Sequence, residues 1–71
     1  MMEIRTEITA NVWVVKVEPG QLVEAGDELV ILESMKMELP VEAPVSGRVV
    51  TLEVQPEDHV TEGDLIATIE P

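Results

Sequence analysis

The feature that most constrains this chain is an internal repeat with an offset of 37 positions, the distance from Gly26-Asp27 to Gly63-Asp64. Further identical pairs at this offset are Val12 and Val49, Val17 and Val54, Pro19 and Pro56, Val23 and Val60, and Glu33 and Glu70. Two copies of one unit, each about four strands long, can bury their apolar faces only against each other. The repeat therefore predicts a closed or sandwich-like pair of sheets related by a pseudo-two-fold axis.

Short apolar runs predict that the repeated unit consists of strands. The runs cover residues 12–17, 29–32, 49–54 and 65–69, which are strand lengths rather than helix lengths. Clusters of Gly, Pro and Asp separate them, as is typical of turns. With one Trp and no Phe or Tyr, the core depends on Val, Ile and Leu, a bias that favours strands.

These patterns predict one all-β domain over residues 1–71, folded as a flattened barrel. Its half repeats span about residues 10–33 and 47–70, and residues 34–37 form the hairpin between them. Within this fold Trp13 is predicted to lie in the core or to cover its rim, and the alternative is a partly exposed Trp13 that serves as a docking contact. The glycines predicted to serve turn geometry are Gly26, Gly47 and Gly63.

The acidic composition excludes several classes of partner. Fifteen Asp and Glu residues against four Lys and Arg give a net charge of −11, so DNA and anionic membrane surfaces are repelled. No apolar stretch approaches the roughly 20 residues that cross a bilayer, and residues 1–10 show no secretory signal. We therefore expect a cytoplasmic protein that binds neither nucleic acid nor membranes.

Patterns for catalysis and metal binding are also lacking. The chain has no cysteine, which removes disulfides, thiolate metal sites and thiol nucleophiles. The lone His59 follows Asp58 in a turn composition typical of a solvated loop, and the carboxylates show no calcium-loop spacing. The sequence thus predicts no catalytic residue and no metal site.

The segment Ser34-Met35-Lys36-Met37 must reverse the chain tightly, yet it lacks the residues that favour reversal. Hairpin tips prefer Asn-Gly or Asp-Gly, whereas this tip carries Met and Lys. Of the two lysines in the chain, Lys16 falls within a predicted strand and Lys36 at the tip. A tip lysine suits an enzyme that acylates its ε-amine, a modification that removes the charge. The alternative is that Lys36 merely solubilises the turn while the methionines cap the core.

The residues around this lysine resemble the attachment motif of biotinyl and lipoyl carrier domains. The motif of biotin carboxyl carriers, in which Ala or Ser precedes Met-Lys-Met, is similar to Glu33-Ser34-Met35-Lys36-Met37-Glu38. Two more segments resemble the family in register, namely Gly26-Asp27 upstream and Ala43-Pro44-Val45-Ser46-Gly47 downstream. Residues 9–12 lack the proline that many members carry there.

The resemblance implies a fold, a cofactor and partners. The fold would be two four-stranded antiparallel sheets built from hammerhead-like halves, with the modified lysine on the joining hairpin. Lys36 would carry biotin in amide linkage, and the protein, itself not an enzyme, would be a substrate of biotin protein ligase. The biotin would shuttle a carboxyl group between biotin carboxylase and carboxyltransferase subunits. The residues implied in positioning the lysine and in recognition by the ligase are Glu33, Ser34, Met35, Met37 and Glu38.

Three alternatives stay open at this point. One is lipoate on Lys36, alone or beside biotin, because lipoyl domains share the fold, although they usually place Asp before the lysine and Ala or Val after it. The second is an unmodified interaction domain of the same fold. The third is a helical acyl carrier with phosphopantetheine on Ser34, which the strand pattern disfavours.

Overall fold

The computed structural model describes residues 1–71 as eight strands without a helix. The strands are β1 (Met2–Arg5), β2 (Ala10–Val15), β3 (Leu22–Val23), β4 (Glu28–Ser34), β5 (Met37–Glu42), β6 (Gly47–Leu52), β7 (His59–Val60) and β8 (Leu65–Glu70). The prediction of an all-β fold is confirmed, and the helical acyl carrier with phosphopantetheine on Ser34 is wrong. No helix long and apolar enough to cross a membrane is present.

The strands form two antiparallel sheets of four strands each, as the resemblance implied. The hairpin sheet has the order β5-β4-β2-β7, and the opposite sheet has the order β1-β8-β6-β3. No ladder of hydrogen bonds joins the two sheets, so the expected flattened barrel is a sandwich with open edges rather than a closed barrel. The open edges are β5 and β7 in the hairpin sheet and β1 and β3 in the opposite sheet.

The offset of 37 positions relates the two sheets strand by strand. Strands β2, β3 and β4 correspond to β6, β7 and β8, and β5 corresponds to β1. The β-bulge between Val12 and Val14 recurs between Val49 and Thr51. The 14 backbone hydrogen bonds outside the strands fall into seven pairs under the same offset. The predicted pseudo-two-fold symmetry is therefore a property of the hydrogen-bond network as well as of the sequence.

The core lies between the two sheets and consists of 15 buried aliphatic residues; the one other buried residue is Thr6. Its largest fully buried members are Leu29, Leu32, Ile66, Ile69, Val12, Val30 and Val49. Six of these seven form three pairs under the repeat offset, so both halves contribute alike to one core. Burial of each such side chain contributes about 1.5–3 kcal/mol, and neither half retains that contribution without the other.

The prediction of a core position for Trp13 is wrong, because its side chain is 48% exposed. Trp13 is the additional residue of the bulge in β2. Val12 points into the core, so Trp13 points outward by alternation, and the bulge leaves Val14 on the outer face as well, opposite Ile31. The indole ring therefore lies on the outer face of the hairpin sheet.

Gly26 and Gly63 occupy equivalent turns with a φ of +94°, as predicted. Gly47 does not, because it is the first residue of β6. A Cβ at Gly47 would collide with the carbonyl oxygen of Glu70 and lie 2.9 Å from Cγ2 of Ile69. Close approach of β6 and β8, rather than turn geometry, therefore requires glycine at this position.

Candidate functional site

The tip hairpin, residues 34–37, connects β4 to β5 through a two-residue turn. Ser34 and Met37 are directly paired, which leaves Met35 and Lys36 as the turn residues. Both have positive φ, 51° for Met35 and 67° for Lys36. This is the pattern of a type I′ turn, whose twist matches the right-handed twist of the flanking strands. The lysine is thus held at a defined position at the end of the hairpin sheet.

The turn retains backbone strain because neither of its residues is glycine. A left-handed backbone conformation costs roughly 1–2 kcal/mol for a residue that carries a Cβ. Asn-Gly adopts the same turn with little of this cost. The ladder between β4 and β5 holds the strained turn in place. Strain that surrounding structure maintains at one point of a fold is typical of functional sites.

Lys36 has the only basic side chain in the chain that makes no hydrogen bond or ion pair. Arg5 and Arg48 donate hydrogen bonds to carbonyl oxygens. The Nζ of Lys16 lies 2.7 Å from Oε1 of Glu28. An enzyme can therefore engage the ε-amine of Lys36 without breaking an intramolecular contact.

The two methionines that flank Lys36 also lie at the surface. The side chain of Met35 is 92% exposed and that of Met37 is 60% exposed. The alternative in which these methionines cap the core is therefore wrong. Their thioethers offer flexible apolar contact to a partner on both sides of the lysine.

Glu33 and Glu38 are directly paired across β4 and β5, and both are exposed. Neither carboxylate forms a salt bridge. Like charges directly opposite each other destabilise a sheet, so the pair brings no structural benefit. The half-buried Ser34 lies between this pair and the turn. All six residues singled out in the sequence, residues 33–38, thus lie together at one end of the hairpin sheet.

The tip offers one exposed amine rather than an enclosed catalytic centre. A cavity of about 580 Å³ lies along β1 and β5, with Ile4, Ile8 and Leu39 in its lining, and includes no residue of the turn. No three His, Asp or Glu side chains converge as metal ligands would. His59 lies in strand β7 rather than in a loop, and its Nδ1 is 3.0 Å from Oδ1 of Asn11. The arrangement is suited to covalent attachment of a group to Lys36.

Sequence reasoning missed an apolar row beside the hairpin, on the outer face of the hairpin sheet. Val14, Ile31 and Pro40 are directly paired across β2, β4 and β5, and Trp13 adjoins them. The signal was present in the repeat, because threonine occupies the positions equivalent to both Val14 and Ile31.

Comparisons with known proteins agree with this geometry. A family model described as "Biotin-requiring enzyme", which represents the biotin/lipoyl domain, matches residues 2–69. The biotinylated protein TB7.3 homolog of Mycobacterium leprae is 49% identical over 67 residues, or 94% of each chain. The biotin/lipoyl attachment protein of Bacillus subtilis is 42% identical over 65 residues, which cover 92% of this chain and 89% of that protein.

The fold is also similar to one part of a much larger enzyme. The crystal structure of urea carboxylase from Kluyveromyces lactis matches with a TM-score of 0.90 and 38% identity. The match covers 97% of this chain and 6% of the carboxylase, so the similarity concerns one small domain of that protein. The family model and the two relatives of similar length together show that the chain belongs to the family of biotin/lipoyl attachment domains.

Proposed function

We propose that this chain is a biotin carboxyl carrier in which Lys36 bears biotin in amide linkage. Family membership implies a carrier domain with covalently attached biotin or lipoate and no catalytic activity of its own. The observation that carries the choice of residue is the free ε-amine of Lys36 at the tip of a two-residue turn. The proposed partners are a biotin protein ligase and the biotin carboxylase and carboxyltransferase subunits of a cytoplasmic carboxylase.

The residues at the tip fit an amide-linked group. Acylation of Lys36 breaks no intramolecular hydrogen bond, and the exposed Met35 and Met37 leave the amine uncovered. The second lysine fits poorly, because Lys16 lies just beyond β2 and its amine is engaged by Glu28 at 2.7 Å. Lys36 is therefore the attachment residue that we propose.

The residues beside Lys36 favour biotin over lipoate. Met35 and Met37 resemble the Met-Lys-Met core of biotin carriers, whereas lipoyl carriers usually have Asp before the lysine. We propose that the ligase reads both methionines, and that Ser34, Glu33 and Glu38 contribute to its recognition of the hairpin. The exposure of the methionines supports this role, since their side chains have no packing role in the core.

The protein would act as a rigid base for a mobile arm. The β4–β5 ladder fixes the backbone at Lys36, and the four-carbon stem of the side chain supplies the motion. When bound, biotin supplies a nitrogen that accepts and releases a carboxyl group. Tethering at Lys36 keeps the reactive end at high effective concentration near each partner. The net charge of −11 favours partners with basic docking surfaces, mainly by raising the rate of encounter.

The proposal is tested by the intact mass of the protein after coexpression with a biotin ligase and, separately, with a lipoate ligase. We expect one biotin per chain, which tandem fragmentation assigns to Lys36. Modification by the lipoate ligase alone would contradict the choice of biotin and indicate a lipoyl carrier. Absence of either modification would contradict the carrier function and favour an unmodified interaction domain.

The two lysines of the chain provide a matched pair of variants. Lys36→Arg keeps the charge and removes the amine that is acylated, so we expect no biotin on this variant. Lys16→Arg is the control, and it should be labelled to the same extent as the wild type. Streptavidin binding by the Lys36→Arg variant would refute the site assignment.

A further inference from the structure

The outer faces of the two sheets differ, although symmetry relates the sheets themselves. We call the outer row of the hairpin sheet the apolar strip; it consists of Trp13, Val14, Ile31 and Pro40. The equivalent positions of the opposite sheet are Val50, Thr51, Thr68 and Glu3. The same backbone framework therefore carries an apolar row on one face and a largely polar row on the other.

The fold does not require apolar residues at the strip. On the opposite sheet the hydroxyls of Thr51 and Thr68 are hydrogen-bonded at 2.8 Å, so this framework accommodates a polar pair at the equivalent place. On the hairpin sheet Trp13 is 48% exposed, and the strip lies on the face away from the core. Trp13 thus exposes a large apolar surface to water without a matching gain from core packing.

The strip, an acidic pair and Lys36 follow one another along one face of the hairpin sheet. Ile31 lies about 10 Å from Ser34 along β4, at about 3.4 Å per residue. Between Ile31 and the turn, on the same outer face, lie Glu33 and Glu38, which have no basic partner within the chain. A surface that pairs an apolar patch with basic side chains complements this arrangement.

We infer that the apolar strip is a docking surface for the enzyme that acylates Lys36, the biotin protein ligase. The inference rests on the proposed function, because it requires that Lys36 is acylated by such an enzyme. Before modification Lys36 has only its four-carbon stem, so that enzyme must cover the tip and the adjoining face of the sheet. The carboxylase and carboxyltransferase subunits meet Lys36 only after modification. They contact the far end of the longer biotinylated side chain and can remain further from the outer face of the hairpin sheet. Because the apolar strip lies close to the unmodified amine of Lys36, the ligase is the proposed partner that fits it best.

Trp13 is the expected centre of this contact. Aromatic side chains that become buried at an interface account for a large share of binding energy, whereas exposed charges at the rim act mainly on the rate of encounter. Loss of the strip should therefore weaken binding of the domain by the ligase and leave the chemical step at Lys36 unchanged. In kinetic terms, the KM for the carrier domain rises and kcat stays constant.

The test copies the opposite face onto the hairpin sheet in one triple variant: Trp13→Val, Val14→Thr and Ile31→Thr. We compare steady-state biotin incorporation by a biotin protein ligase supplied with ATP and biotin, with the carrier as the varied substrate. The KM for the triple variant should rise about tenfold or more, the size expected when an aromatic hot spot is lost. The matched control, Thr51→Val with Thr68→Ile, makes the opposite face apolar and should leave KM unchanged.

A second variant distinguishes a loss of ligase binding from a loss of the fold. Trp13→Val alone places at Trp13 the residue found at the equivalent Val50, and its unfolding midpoint should stay near that of the wild type. It too should raise KM. Unchanged KM in both variants would overturn the docking surface while leaving the carrier function intact. No incorporation into the wild type would contradict the carrier function and the inference with it.

The position of Trp13 also permits a direct binding measurement, because it is the only tryptophan. Protein labelled with 5-fluorotryptophan should give one ¹⁹F resonance that shifts or broadens when ligase is added. A resonance that ligase leaves unchanged would overturn the inference. Dimerisation of the free wild type, lost in the triple variant, would assign the strip to a second copy of the chain and overturn it as well.

Discussion

Turns in this molecule that require positive φ meet that requirement with different residues. The turns at Gly26 and Gly63 use glycine, each with a φ of +94°. The tip hairpin instead uses Met35 and Lys36, with φ values of 51° and 67°. The glycine turns avoid the cost of a Cβ in the left-handed region, whereas the tip accepts that cost at both positions.

The difference follows from what each turn has to do. The turns at Gly26 and Gly63 are copies of each other, with an Asp after each glycine that accepts a backbone hydrogen bond at 2.9 and 2.8 Å. They serve the fold, and their sequences follow the rules of turn chemistry. The tip departs from those rules and gains an exposed lysine between two exposed methionines. At the tip, local strain thus accompanies the display of an exposed side chain.

The largest effect is expected when the tip is given the chemistry of an ordinary turn. Met35→Asn combined with Lys36→Gly should abolish biotin attachment completely and raise the free energy of unfolding by about 1–2 kcal/mol, because Asn-Gly relieves the strained turn. Mass spectrometry measures the attachment, and urea unfolding followed by circular dichroism measures the stability. Lys36→Arg serves as the control that loses attachment without this gain. A double variant no more stable than Lys36→Arg would contradict strain at the tip.

The features that could be predicted from the sequence are those that show as a recurring apolar pattern or as unusual residues at one turn. The repeat predicted the paired sheets, because symmetric burial of Val12 and Val49, or of Leu32 and Ile69, follows from matching apolar positions. The unusual turn residues at the tip, together with the family motif, singled out Lys36; the structure places it as an exposed turn residue, and its role as the attachment residue stays a proposal. Both predictions depended on patterns that can be seen in the sequence itself: apolar positions that recur at a fixed offset, and residue types at one turn.

Features that depend on distant contacts could not be predicted in this way. Trp13 was placed in the core because residues 12–17 are almost continuously apolar, so the sequence does not indicate which of these side chains face outward or that a bulge leaves Val14 outside beside Trp13. Gly47 was assigned to a turn because its true constraint, Glu70, is brought near only by pairing of β6 with β8. The correspondence of β1 with β5 was missed because few of their residues are alike. Each miss reflects information carried by tertiary structure.

The next largest effect should come from Gly47, where space rather than backbone conformation demands glycine. Gly47→Ala places a methyl group against the Glu70 carbonyl and Cγ2 of Ile69, so we expect a loss of about 2–3 kcal/mol in the free energy of unfolding. The equivalent position of the other half holds Ala10, which the fold accepts. Urea unfolding checks the value. A neutral substitution would mean that β6 can move away from β8 without cost.

The two glycine turns should respond equally, which tests their equivalence. A Cβ added at Gly26 or Gly63 meets no heavy atom within 4 Å other than those of its chain neighbours, so the loss of stability in Gly26→Ala and Gly63→Ala comes from the positive φ alone. Each should lose about 1–2 kcal/mol in the free energy of unfolding, and the double variant should lose the sum. Thermal and urea unfolding of the three proteins measure these losses. A large difference between the single variants would show that the symmetry of the hydrogen bonds does not extend to stability.

The smallest effect is expected at Glu57, where the repeat itself has a strained residue in a structural turn. Glu57 has a φ of 77°, while the equivalent Gly20 has a φ of 93°. Both donate a backbone hydrogen bond, to Val12 and to Val49 at 2.8 and 2.7 Å, so substitution of either residue keeps the contact. Glu57→Gly should raise the free energy of unfolding by only about 0.5–1 kcal/mol, because the flexible unfolded chain offsets part of the relieved strain. The converse variant, Gly20→Glu, should lose a similar amount, and biotin attachment at Lys36 should be unchanged in both. A loss of stability in Glu57→Gly would mean that the Glu57 side chain stabilises its turn. Relief of the positive φ by glycine would then not raise the free energy of unfolding outside the tip.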